Sequence, residues 1–187
     1  MRKKSKILSY VSGASDKPLL FKTVWEILEE AADFHPDKAA LISHHQNRTL
    51  SYKELLKEAG EIADGLLNVG LRKGDRIGIW APNCIEWVLL QFASAKIGAI
   101  LVTINPAYRK NELRYALNKV QCKILVMASS FKTSDYVSMI NEIAPEIVNE
   151  TGINLNLKEL PHLKSIFIIN KDTKTNINSF EYLANSK

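Results

Sequence analysis

The residues able to do chemistry are few and stand apart. His44 and His45 are the one adjacent histidine pair. On extended backbone, neighbouring side chains point to opposite faces, so the two rings cannot readily share a metal and read better as a surface turn. Cys84 precedes an apolar run, where a helix N-terminus would favour a thiolate. The residue reads better as a small buried hydrophobe. Asp75 with Arg76, and Glu86, offer no acid–base pair that spacing supports. Trp80 and Trp87 read as core rather than as a ligand platform. The eight glycines fall at 13, 60, 65, 70, 74, 78, 98 and 152, and neither GxGxxG nor GxxxxGK[ST] can be drawn through them. Phosphate cradles need adjacent, unhindered backbone N–H groups, hence clustered glycines. GxSxG and HExxH are missing too. These residue types therefore nominate no catalytic, cofactor-binding or metal-ligating residue.

The elements around them are easier to read. Ala95 to Tyr108, AKIGAILVTINPAY, combines a helix end, a stop at Gly98, an apolar run and a Pro-terminated turn. Gly98 suits a left-handed C-cap. Ala99 to Ile104 is short and rich in β-branched residues, as expected of a strand covered on both faces. Pro106 has no N–H for a ladder. Thr23 with Glu26, and Ser51 with Glu54, form capping boxes. The first helix should reach Phe34. The second carries one apolar stripe through Leu55, Leu56, Ala59, Ile62, Ala63 and Leu66. Between them, Ala39 to Ser43, a polar turn and Thr49 with Leu50 predict a hairpin.

Arg76 to Trp80 is the next strand. Asn83 suits the cap of a third helix with Glu86 at its third position. That helix, Cys84 to Ile97, is apolar nearly all round and should be buried against more than one layer. Lys110 to Lys119 reads as a fourth helix, Lys123 to Met127 as a strand, and Thr133 to Val148 as a helix disturbed by Pro145. Ser165 to Ile169 is a last strand, followed by a polar stretch from Lys171. Helices alternating with strands predict an α/β fold, a largely parallel sheet flanked by helices. Residues 1–22 read as an arm and 23–187 as the α/β unit.

Composition sets the remaining limits. An apolar fraction of 46% with 24% charged residues suits a chain with a real core. A net charge of +5 is only mildly basic, and its one tight cluster is Arg2, Lys3, Lys4 and Lys6. A solvated terminus explains that cluster better than nucleic acid does. No apolar run reaches the length of a membrane span. Cys84 and Cys122 are far apart and form no CxxC, which fits a reducing cytoplasm.

Leu50-Ser51-Tyr52-Lys53-Glu54-Leu55 resembles the first core motif of the adenylate-forming acyl-CoA synthetases. Ala95-Lys96-Ile97-Gly98-Ala99 through Val102-Thr103-Ile104-Asn105-Pro106-Ala107-Tyr108 resembles the second, with Gly74-Asp75-Arg76-Ile77 and Ala81-Pro82-Asn83 between. The Asn105 to Tyr108 wording and Ser9-Tyr10-Val11-Ser12-Gly13 are similar to the medium-chain branch. The resemblance runs from about Ser9 to Phe180. It implies a partial N-terminal domain of the adenylate-forming fold. In that family ATP, Mg2+ and coenzyme A support an acyl-adenylate step and then thioester formation. The family's phosphate loop, ribose-binding Asp and catalytic Lys match nothing here, so no catalytic residue is carried over and no cofactor is expected for this chain alone. The expectation is an N-terminal portion of a fatty acid–CoA ligase, inactive alone. The partners expected are the remainder of a split synthetase or a second copy. The alternatives are a non-enzymatic fragment that complements a separately encoded remainder, and an unrelated flavodoxin-like binding module.

Overall fold

The computed structural model describes residues 9, 11–13, 16, 18–150, 152–169 and 175–185. The basic cluster Arg2, Lys3, Lys4 and Lys6 lies outside these. Of the expected arm, Leu19, Leu20 and Phe21 are exposed.

Both capping boxes form. Thr23 opens α1, Val24–Phe34, and Ser51 opens α2, Tyr52–Asn68. Between them β1, Ala39–Ser43, and β2, Arg48–Ser51, make an antiparallel hairpin. The centre is a four-stranded parallel sheet of β3, Arg76–Trp80, β4, Ile100–Thr103, β5, Ile124–Ala128, and β8, Ser165–Ile169, in the order β4-β3-β5-β8. Strand alternation divides the core in two. Ile77, Ile79, Ile124, Val126, Phe167 and Ile169 face α2 and the helix α3, Ile85–Ile97. Trp80, Leu125, Met127, Ile166 and Ile168 face α4, Lys110–Lys119, and α5, Tyr136–Ile143. Such period-two division is what helices on both faces of a parallel sheet require.

Four expectations are corrected. The Ala99 to Ile104 run is an edge strand, not one covered on both faces. Ile100 is 52% exposed, and Leu101 and Val102 are half-buried. A short, mostly apolar run carries no mark of its place in the sheet order. The expected helix from Thr133 to Val148 begins later and ends sooner. A small hairpin of β6, Ser130–Phe131, and β7, Ser134–Asp135, precedes it, with Lys132 at φ 53°. Asp135 then caps α5 by accepting from the Ser138 N–H. Pro145 disfavours helical backbone at the residue before it and starts a 3-10 turn, Pro145–Asn149. The polar C-terminal stretch holds a further helix, α6, Glu181–Asn185, whose Leu183 and the preceding Phe180 join the core. The fourth correction, at the start of α3, bears on the site below.

The base of the sheet is stitched by charge. Lys123 donates to Asp75 at 2.7 Å and to the Gly70 carbonyl at 2.8 Å. Arg76 donates across to the carbonyls of Val120 and Gln121. At the opposite end Trp80 stacks on Tyr136, with ring centroids 3.5 Å apart and planes 7° from parallel. The Tyr136 hydroxyl donates to the Pro106 carbonyl and ties α5 to the loop after β4.

Candidate functional site

A groove of about 490 Å³ lies between the β1–β2 hairpin and the start of α3. Leu41 and Ile42 form one apolar wall, and Trp87 and Val88 the other. Ser43, His44, His45, Asn83 and Cys84 complete it. Its position depends on how α3 starts. Asn83 is not the cap. Cys84 holds that place, with extended backbone and no side-chain cap bond. The orphan donor is met from the hairpin turn instead. Gln46 Oε1 accepts from the Ile85 N–H at 2.8 Å and from the Ser43 hydroxyl at 2.8 Å. Gln46 Nε2 donates to Glu86 at 2.9 Å. One carboxamide thus fixes hairpin to helix and holds both walls. Nothing local flagged Gln46, a polar residue in a polar turn whose partners lie 39 and 40 positions away.

Few reactive groups face the groove. Burial first, and the neighbouring Glu86 charge second, push the Cys84 thiol up to about 12, so the thiolate reading fails despite the helix start. His44 and His45 sit in the hairpin turn, and His45 Nδ1 lies 3.3 Å from the Ser43 hydroxyl. Trp80 is fully buried, as its core reading requires, whereas Trp87 is half-buried and lines the groove. Asp75 and Arg76 belong to the base of the sheet. Glu86 serves Gln46. Among the described residues, no three His, Cys, Asp or Glu side chains are grouped to hold a metal. With neither a metal cluster nor a glycine cradle, the described residues do not fit Mg2+ with ATP. The groove can hold an apolar surface; it presents no ionised nucleophile.

The family model for AMP-binding enzymes matches residues 28–177. The chain belongs to the AMP-binding enzyme family. Among curated AMP-binding relatives it is 44% identical over 162 residues to the mitochondrial medium-chain acyl-CoA ligase ACSF2 of Macaca fascicularis, covering 87% of this chain and 26% of that protein. For the Homo sapiens protein of the same name the identity is 43%, with the same coverage. The chain therefore spans about a quarter of the length of the curated relatives it matches. Its fold matches the anthranilate CoA ligase AuaEII, solved with anthranoyl-AMP, at TM-score 0.74 and 24% identity over 94% of this chain and 30% of that one. The N-terminal domain of FACL13 from Mycobacterium tuberculosis matches at TM-score 0.61 and 25% identity, over 65% and 30%. The fold is thus that of the N-terminal region of adenylate-forming CoA ligases. These matches do not support a flavodoxin-like module. They also correct the cytoplasmic expectation, because the ACSF2 relatives are mitochondrial by name. Unpaired, widely spaced cysteines fit any reducing compartment, so they could not have told these apart.

Proposed function

We propose that this chain is an N-terminal portion of a fatty acid–CoA ligase that scaffolds the reaction and does not adenylate on its own. Residues 1–22 act as an arm and residues 23–187 as the α/β unit. The observation that carries the reading is the pairing of the family match over 28–177 with a site that holds no ionised nucleophile and no metal cluster among the described residues. In a whole ligase, ATP, Mg2+ and coenzyme A would supply the activating and accepting chemistry. The residues of this chain would contribute the sheet, the Gln46 clamp and the apolar groove walls. A medium-chain carboxylic acid is the substrate class that the relatives' name supports.

The test is a chimera. Residues 23–185 replace the matching segment of a medium-chain acyl-CoA ligase, and acyl-CoA formation is measured with octanoate, ATP and coenzyme A. Activity within about tenfold of the parent enzyme is expected, since volume-conserving core changes are well tolerated. A chimera that folds by circular dichroism, yet forms no acyl-CoA, would overturn the assignment.

A further inference from the structure

The sheet order β4-β3-β5-β8 places the reversal of chain direction between β3 and β5. In doubly wound sheets, ligands gather outside the carboxyl ends of the strands at this point. The segment leaving β5 there forms the β6–β7 hairpin. Beside it lies a cavity of about 270 Å³ lined by Ser129, Ser130, Lys132, Thr133, Ser134 and Asp135. Ser134 is only 8% exposed. Among the described residues its hydroxyl has no hydrogen-bond partner, nor have those of Ser129, Ser130 and Thr133. The Ser134 oxygen is not sealed from solvent, so it stays free to donate to a molecule in the cavity. The Lys132 ammonium packs 5.3 Å from the centroid of the Phe131 ring, with no ion-pair partner among the described residues. The cavity's one carboxylate is already engaged, because Asp135 accepts from the Ser138 N–H at 2.9 Å and from its hydroxyl at 2.8 Å.

We propose that this hairpin cavity is a binding subsite for a phosphoryl group, held by the Lys132 ammonium and the hydroxyls of Ser134, Ser129 and Thr133. An ammonium held only against the Phe131 ring, beside several free O–H donors and with the Asp135 oxygens turned to Ser138, suits a tetrahedral oxyanion with several acceptor oxygens. A metal cation would find no uncommitted carboxylate, and a neutral sugar would leave the ammonium unused. The hydroxyls take the part that backbone N–H groups play in glycine-rich cradles, which explains a subsite without clustered glycines. The subsite does not depend on the adenylation chemistry.

The test titrates the full chain by calorimetry with inorganic phosphate and, separately, phenyl phosphate, against sodium chloride at matched ionic strength. Lys132→Asn removes the ammonium and keeps a residue that tolerates the left-handed backbone. Ser134→Ala removes the buried hydroxyl. Saturable binding of phosphate or its ester is expected, about tenfold weaker in Lys132→Asn and several-fold weaker in Ser134→Ala, with unchanged urea midpoints. Tighter binding of phenyl phosphate would assign the subsite to a phosphate ester, and equal binding to the free anion. No saturation beyond the chloride control, or equal affinity in both variants and the parent, would overturn the proposal.

Discussion

At the scale of single residues, environment overrides position. Cys84 stands at a helix start, where a thiolate is usually favoured, yet burial and Glu86 push its thiol up to about 12. Burial pushes Cys122 to about 12 as well. Neither thiol should react with a disulfide reagent at pH 8 in the native chain, and both should react in urea. Rapid native labelling of Cys84 would show an ionised thiol in the groove, and of Cys122 an opening of the core beneath α4. The carboxylates run the other way. Asp135 is held low by the Ser138 N–H and hydroxyl. Burial alone would raise Asp75, but the hydrogen bonds from Lys123 and the Arg72 N–H outweigh it and leave it lowered. Glu26 and Glu54 are lowered by the backbone N–H groups of Thr23 and Ser51. A carboxylate lowered in the folded state adds stability above its unfolded pKa, which is lost as pH falls through the folded value. The urea midpoint should therefore hold steady near neutrality and fall below about pH 4. Asp75→Asn should lower the midpoint at pH 7 and flatten its fall in acid. An unchanged pH profile in that variant would remove Asp75 from the account.

At the scale of elements, long-range contacts decide what local pattern leaves open. Gln46→Ala strips α3 of its borrowed cap and removes the amide that Glu86 accepts from, at a cost of about 1–2 kcal/mol in urea unfolding. A loss below about 0.3 kcal/mol would mean that water replaces the carboxamide without penalty. Gly65 meets α6 so closely that a Cβ there would lie 1.9 Å from the Leu183 carbonyl oxygen. Gly65→Ala should displace α6 and cost about 1–3 kcal/mol. Full stability in that variant would show that α6 docks elsewhere. The capping boxes, the Gly98 stop and the strands Arg76–Trp80 and Ser165–Ile169 were legible because each rests on residues within a few positions of one another. The Gln46 cap, the β6–β7 hairpin and α6 were not. The first depends on a partner 39 positions away, the second on Lys132 taking a left-handed backbone, and the third on a docking surface supplied by α2.

At the scale of the whole molecule, the sheet ends on one side in β4, a short apolar edge without Pro or charge. Such edges pair readily with other strands. Phe21, Phe34 and Ile100 add exposed apolar surface, with Phe21 95% exposed. The isolated chain should therefore self-associate at micromolar concentration, and Val102→Lys should shift it toward a 21.1 kDa monomer in light scattering. A monodisperse monomer in the parent chain would contradict this. The fold class was legible from alternation, and the family from motif order. The place of β4 at the edge was not, since strand order is a property of the assembled sheet. The proposed function requires this stretch of the AMP-binding fold to carry framework without adenylation chemistry. ATP–pyrophosphate exchange by the purified chain with octanoate and Mg2+ tests it most directly. Exchange no higher than in a heat-inactivated control is expected. Octanoate-dependent exchange above that control, in a preparation free of host synthetase, would contradict it.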